Sequence, residues 1–352
     1  KVMIVAAQET YQPDLIDVLS RLGILVVADI VSNLHGVAGC IKRQDAWLKK
    51  DLPHELAEQL QPDLLITFGK SMVSKNLKLF LRKYKPKQHW HLKPAGQVAD
   101  TFQSLTGILR IQPLTFFQEL YSRLGNSQVG EEAYQNKWQK IDSQCVEIQK
   151  TFFETQEFGE FTAVAKLIEA LPRDCGFHLA NSMSVRYANF IGLSAQGRRE
   201  VFANRGTSGI DGSNSTAVGN AILSYKTQVL LTGDLSFFYD RNAFWHQYLP
   251  KNLRIVLLNN HGGVIFRMID GPARQPELEE YFEAHQALSA EGLAKELGFS
   301  YHLASSQSEY EEVLTHFFDD ALQPKILEIK TEKAQSEKVL KGIRNKMKKV
   351  VI

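Results

Sequence analysis

Apolar residues recur in short runs separated by stretches of helical period along most of the chain. The first series predicts strands at Val2–Ala7, Ile24–Ala28, Leu64–Gly69, His89–Leu92 and Gly107–Arg110, with helices such as Pro13–Leu22 and Ser74–Tyr84 between them. Short β-branched runs alternating with amphipathic helices indicate a parallel α/β sheet. From residue 113 to about 160 the strand signal fades, and Gln, Glu, Lys and aromatic residues predict linking helices. Phe161–Leu171 reads as an amphipathic helix stopped by Pro172. A second series then predicts strands at Gly176–Ala180, Val201–Ala203, Val229–Thr232, Arg254–Leu258, Tyr301–Leu303 and Lys325–Ile329, with helices including Ser215–Ser224 and Ala290–Leu297. The fold class expected is therefore α/β, as two doubly wound parallel-sheet domains over 1–150 and 151–352.

Composition narrows this picture only a little. The 352 residues suffice for two domains, and 44% apolar with 23% charged residues is ordinary for a globular protein. With 41 basic against 39 acidic residues, the net charge of +2 gives no global case for nucleic acid. Cys40, Cys145 and Cys175 form neither a disulfide framework nor a zinc pattern, and reduced cytoplasmic thiols are the simple reading. No apolar run is long enough to span a bilayer. A strand begins at once after Lys1 with no lead-in, which suggests a piece of a longer protein. The basic tail, including Lys338, Lys341, Lys346, Lys348 and Lys349, places Val339, Leu340, Ile343 and Met347 at helical spacing and predicts a docked terminal helix. His89-Trp90-His91 could form a metal pair, although an edge-strand or interdomain contact explains it as well.

The most informative segment is Thr227–Phe266. One apolar run ends in Gly233-Asp234 and the next in Asn259-Asn260, with Asn242–Tyr248 available as a crossover helix. A right-handed βαβ crossover places Asp234 and Asn260 at the same sheet edge. A carboxylate, an amide oxygen and the carbonyls of His261-Gly262-Gly263 then converge as hard ligands suited to Mg²⁺ carrying a diphosphate. A GD step alone also fits an ordinary strand end facing water. Asn204–Gly212 (NRGTSGIDG) is a βα loop whose glycines permit tight turns and whose small hydroxyls and N–H groups favour an anion. Asn181–Arg186 (NSMSVR) follows another strand, where Ser182 could donate to a phosphate, and Arg186 and Arg205 could each grip a carboxylate. Solvated surface ion pairs are the alternative for either arginine.

Taken in order, NSMSVR, VFANRGTSGIDGSNSTAVG, LTGDLSFFYD and NNHGGVIF resemble the 2-succinyl-5-enolpyruvyl-6-hydroxy-3-cyclohexene-1-carboxylate synthase family, thiamine-diphosphate (ThDP) enzymes of menaquinone biosynthesis. The resemblance implies a middle domain followed by a diphosphate- and Mg-binding domain, with the family's N-terminal pyrimidine-binding domain absent. It implies Mg²⁺ on Asp234, Asn260 and the Gly262 carbonyl. Cofactor contacts are implied at Ser182, Ser208, Gly209, Gly233, Asp234, Leu235, Ser236 and Asn260. Ile210 would support the bent cofactor, Arg186 and Arg205 would hold substrate carboxylates, and Ile265 and Phe266 would line the pocket beside the thiazolium. In the middle domain Lys75 is followed by Asn76 where the family tends to have arginine, which leaves one anion contact in question. The implied substrates are 2-oxoglutarate and isochorismate, and the implied state is a cytoplasmic homodimer or larger. No glutamate of this chain takes the place of the one that activates the cofactor pyrimidine in the family, so the chain alone is expected to be inactive or nearly so. Two further readings stay open: another ThDP-dependent 2-oxoacid decarboxylase or carboligase, and a non-catalytic cofactor-binding module.

Overall fold

The computed structural model describes residues 1–49, 52–125, 130–269 and 271–347. The chain forms two compact units, one built from Lys1–Thr151, Asn189–Gln196 and the residues from Arg344, the other from Phe152–Ala188 and Gly197–Ile343. Each holds one wholly parallel sheet.

In the first unit the order is β1 (Val2–Ala6), α1 (Pro13–Leu22), β2 (Leu25–Ala28), α2 (Gln44–Trp47), α3 (His54–Leu60), β3 (Leu64–Phe68), α4 (Lys75–Lys83), β4 (Gln88–Leu92), β5 (Gly107–Leu109), α5 (Pro113–Leu124) and α6 (Glu132–Phe153). The five strands are arranged β2-β1-β3-β4-β5. Helix α1 shows why these segments form where they do. Pro13 opens it without losing a needed N–H, Gly23 at φ 61° closes it, and Leu15, Val18, Leu19 and Leu22 make one buried stripe. That stripe packs on Ile4, Val26, Ile66 and Phe68 of the sheet.

The second unit continues with α7 (Glu160–Ala170), β6 (Asp174–Leu179), α8 (Met183–Ile191), β7 (Arg198–Phe202), α9 (Ser213–Leu223), β8 (Thr227–Gly233), α10 (Asp234–Tyr239), β9 (Leu253–Asn259), α11 (Glu291–Leu297), β10 (Ser300–Ala304), α12 (Gln307–Phe317), β11 (Lys325–Lys330) and α13 (Lys333–Met347). Its six strands run β10-β11-β9-β8-β6-β7. Every residue of β9 is buried, as expected for a parallel strand covered on both faces. Leu230, Phe237, Phe244, Ile255 and Leu257 form the core beneath α9 and α10. The chain order reverses direction between β6 and β8, which makes their carboxyl ends the switch-point crevice where ligands enter such sheets.

Both sheets therefore confirm the α/β class with parallel strands. Three local expectations are corrected. The crossover between β8 and β9 is not a helix over Asn242–Tyr248: α10 starts at Asp234 itself, followed by a 3₁₀ turn at Arg241–Phe244. Extended Gly233 (φ −89°, ψ 162°) acts as its N-cap, and an acidic first residue suits the positive helix start. Helix α7 is not amphipathic but buried nearly all round, from Glu160 to Ile168. His89 and His91 lie on β4, an inner strand, where both rings bond Thr67 Oγ1 of β3 at 2.9 and 2.8 Å. Asn76 bonds Asp45 at the start of α4 through its N–H and its Nδ2, both at 2.9 Å. The terminal helix buries Val339, Leu340, Ile343 and Met347; Lys348 and Lys349 lie outside the described residues. All three cysteines are free and buried.

Candidate functional site

The four motif segments meet at the carboxyl edge of the second sheet. Gly233 of β8 pairs with Leu258 of β9, so Asp234 and the Asn259-Asn260 step leave adjacent strands side by side. Asp234 is 2% exposed. Its Oδ2 accepts from Gly262 N–H at 2.8 Å and from Gln286 Nε2 at 2.9 Å, while Oδ1 accepts from Leu235 N–H at 2.7 Å. Burial raises its pKa, and these donors oppose the rise only in part.

Asn259 and Asn260 are both buried and have different partners. Asn259 donates Nδ2 to Glu328 Oε1 at 2.7 Å and to Leu288 O at 2.9 Å, and its Oδ1 accepts from His261 N–H and Gln286 Nε2, both at 3.1 Å. Asn260, 6% exposed, donates Nδ2 to Glu160 Oε1 at 2.6 Å. Its Oδ1 has no hydrogen-bond partner among the described residues. A buried acceptor left open costs about 1–3 kcal/mol, so such an atom needs an account, and its place beside Asp234 at the switch point allows a ligand to supply one. Glu160 itself is 1% exposed and also accepts from Tyr187 O–H at 3.0 Å. Burial, together with the nearby Asp234 charge, lifts its pKa to about 7 against the lowering effect of its two hydrogen bonds.

Gly262 is fixed by space and conformation. Its φ is 156°, and a Cβ would lie 2.6 Å from Glu283 O and 2.9 Å from Lys333 Nζ. Its carbonyl accepts from Val264 N–H at 3.3 Å. Ile265 and Phe266 follow in a 3₁₀ turn, Val264–Met268, both half-buried, with the Phe266 ring 5.7 Å from Phe282. Glu283, 1% exposed on its side chain, is neutralised by Arg267 and by Lys333 at 2.9 Å.

Across the switch point, Asn181 ties two loops together. Its Nδ2 donates to Asn204 O at 2.8 Å and Gly209 O at 2.7 Å, and its Oδ1 accepts from Arg205 at 2.5 Å. Ser182 adopts φ 71° and turns the chain into α8; Arg186, exposed, donates to its carbonyl at 2.5 Å. Ser208 has φ 62°, with Oγ on Gly206 O at 3.4 Å. Ser236 Oγ donates to Ile210 O at 2.6 Å, which pins the NRGTSGIDG loop to α10. The structure thus gathers Asp234, Leu235, Ser236, Asn260 and Gly262 through contacts around β8 and β9, and Arg205, Gly209 and Asn181 through contacts around β6 and β7. Lys75 is exposed at the start of α4, in the other unit.

Sequence reading missed Glu160 and Gln286. Glu160 meets Asn260 across 100 residues, and Gln286 reaches Asp234 across 52. Neither lies in a motif, and the only available signal was a glutamate just before the apolar run of a helix. Among the described residues, no group of three or more His, Cys, Asp or Glu side chains could hold a metal. The donor set here is of another kind: one carboxylate, one amide oxygen and a backbone carbonyl, which suits a hard cation that keeps other oxygen ligands. No helix among the described residues is long and apolar enough to cross a membrane.

A strand-end site of this sort on a doubly wound sheet is that of a cofactor-binding α/β protein, and comparison with known proteins makes the class definite. The family profile described as the middle domain of thiamine pyrophosphate (the same compound as ThDP) matches residues 2–178, half of the chain, and the chain belongs to that family. It is also similar to proteins named 2-succinyl-5-enolpyruvyl-6-hydroxy-3-cyclohexene-1-carboxylate synthase. That of Cytophaga hutchinsonii is 43% identical over 97% of this chain and 60% of its own length. Those of Flavobacterium johnsoniae and Bacteroides fragilis are 40% and 39% identical, over 90% and 88% of this chain and 56% and 54% of theirs. The chain therefore spans little more than half the length of these curated relatives.

Proposed function

We propose that this chain forms the diphosphate- and Mg²⁺-binding part of a 2-succinyl-5-enolpyruvyl-6-hydroxy-3-cyclohexene-1-carboxylate synthase of menaquinone biosynthesis. The reaction would release CO₂ from 2-oxoglutarate and join the remaining four carbons to isochorismate. The observation that carries this reading is the buried Asn260 Oδ1, without a partner among the described residues, just past the end of β9 and beside Asp234 at the end of β8, where the sheet opens. It supports a cation bound by Asp234, Asn260 Oδ1 and the Gly262 carbonyl.

The diphosphate would rest on Ser182, Ser208, Gly209 and the Gly233–Ser236 turn, whose N–H groups open α10. Ile210, whose carbonyl accepts from Ser236, would support the cofactor rings. ThDP, when bound, supplies the nucleophilic carbon and the sink for the electron pair left by CO₂. Arg186 and Arg205 offer planar forks to carboxylates, which both proposed substrates carry. Ile265 and Phe266 would shield the reacting end from water. We expect a cytoplasmic homodimer or larger assembly, as the family resemblance implies.

Calorimetry of the chain with ThDP tests the cofactor assignment. Binding is expected only with Mg²⁺ and is lost in Asp234→Ala; equal affinity in both proteins overturns it. The reaction is tested on the whole polypeptide encoded by the gene that carries this chain. CO₂ release from 2-oxoglutarate without an isochorismate adduct would point instead to another ThDP-dependent decarboxylase.

A further inference from the structure

We infer that Glu160 is the positioning residue that sets which end of the Asn260 amide faces the cation. The inference rests on the metal assignment proposed above and extends it to a side chain that no motif contains.

An asparagine amide presents two donors at one end and an acceptor at the other, and the two orientations have nearly the same shape. Only the oxygen end can serve a cation. In this site the choice is made by what stands opposite. Glu160 Oε1 lies 2.6 Å from Asn260 Nδ2 and accepts from it, while the other carboxyl oxygen already accepts from Tyr187 O–H. Were the amide reversed, Asn260 Oδ1 would stand opposite Glu160 Oε1 and the 2.6 Å hydrogen bond from Nδ2 would be lost, a cost no compact site tolerates cheaply. The NH₂ end is therefore drawn to Glu160, and Oδ1 is delivered to the other side, where it remains without a partner among the described residues.

Glu160 is held for this task. It is the first residue of α7, where the helix start favours a negative charge. Tyr187 O–H donates to its second oxygen at 3.0 Å, and the Tyr187 ring stacks on Phe161 at 4.7 Å. At 1% exposure the carboxylate has no water to turn toward. The neighbouring asparagine is an internal control. Asn259 likewise gives its Nδ2 to a buried glutamate, Glu328, at 2.7 Å, but its Oδ1 is fully used by His261 N–H and Gln286 Nε2. The same amide–carboxylate pairing thus closes one site and leaves an oxygen open in the other. Residues that orient ligands from behind typically govern metal affinity by about 10–100-fold.

Glu160→Gln is the discriminating variant, because it keeps the shape and places a donor as well as an acceptor opposite Asn260. Mg²⁺ is titrated calorimetrically into the chain with ThDP at saturation, and melting is followed without metal. Glu160→Gln should weaken Mg²⁺ by about tenfold or more without lowering the metal-free melting temperature. Tyr187→Phe, which leaves the Asn260 contact in place, should keep wild-type affinity. Wild-type affinity in Glu160→Gln, with Asp234→Ala still inactive in binding, overturns the role of Glu160 alone. A lowered metal-free melting temperature with unchanged affinity also overturns it, because it assigns Glu160 to stability. Wild-type binding that ignores Mg²⁺ or survives Asp234→Ala overturns the metal assignment and this inference with it. One companion measurement needs no variant: a crystal structure of the wild-type chain with Mn²⁺ and ThDP should keep Glu160 within hydrogen-bond distance of Asn260 Nδ2. Glu160 swung onto the cation, or away from Asn260, overturns the inference even if the variant fails to fold.

Discussion

Asp29 and Asp234 occupy matching places in the two units. Each follows the last residue of a parallel strand, β2 or β8, and each is almost fully buried. Burial raises the pKa of both, that of Asp29 to about 6. Asp29 Oδ2 accepts from Val73 and Ser74 N–H at 2.6 and 2.9 Å, so its carboxylate fastens the loop before α4. Its other oxygen, like that of Asn260, has no partner among the described residues. A buried carboxylate, a raised pKa and an unpaired acceptor are thus common to both places and do not by themselves mark a cofactor site. The setting differs. β2 is the edge strand of its sheet, away from the crevice between β1 and β3, whereas β8 borders the switch point and has the Asn260 amide on the next strand. On the proposed reading, a second oxygen ligand from the end of a neighbouring strand, at the place where the sheet opens, is what separates a ligand site from a structural clasp.

The comparison breaks most directly through binding. Asp234→Ala should abolish Mg²⁺-dependent ThDP binding, a loss beyond the roughly 100-fold that a merely supporting residue costs, while Asp29→Asn binds as wild type. Calorimetry on both variants decides it; parallel losses would mean that the two aspartates do not differ in kind. The next largest effect concerns stability and pH. Asp29 has a folded pKa of about 6 against an ordinary value of 3.8. The stability tied to its protonated form is present below pH 3.8 and is lost as pH rises through about 6, worth about 3 kcal/mol at 1.36 kcal/mol per pKa unit. Asp29→Asn should remove this slope, so urea unfolding at pH 4 and pH 7 should show the variant gaining on wild type at the higher pH. An unchanged slope would show that the buried charge at Asp29 is compensated elsewhere.

A smaller loss is expected at Ser236. Removing its 2.6 Å bond to Ile210 O by Ser236→Ala should cost about 1 kcal/mol in unfolding free energy and weaken ThDP several-fold, because the loop would be released from α10. The smallest effect on stability belongs to Arg186, which is exposed. Arg186→Ala should change unfolding by less than about 0.5 kcal/mol, yet raise the KM for 2-oxoglutarate in the whole enzyme. Loss of stability without a KM change would return Arg186 to the surface ion pairs of the alternative reading.

Period and punctuation were enough to read both sheets, because a buried parallel strand needs a continuous apolar run and its helices a 3.6-residue stripe. The strand-end pair Asp234 and Asn260 was legible for the same reason: a βαβ crossover has one hand, so motif order became spatial order. The crossover itself was misread, since Trp245 and Tyr248, apolar at helical spacing, turn out 77% and 68% exposed, and the helix starts on Asp234 itself. Glu160 and Gln286 were illegible because a hydrogen bond between distant residues leaves no local pattern. Only tertiary packing brings a glutamate on α7 beneath Asn260.

Asn181 carries a consequence for motion. One amide satisfies two acceptors on the chain following β7 and takes a guanidinium from the same segment, so the segment after β6 is tied to the loop after β7 by three hydrogen bonds. Separating the two loops would break those three bonds. Arg205 lies in the tied loop and Arg186 in α8, which begins two residues after Asn181. If both arginines hold one molecule, as proposed, this tie is what would keep their two supports in register, much as a caliper locked at one setting accepts a single width.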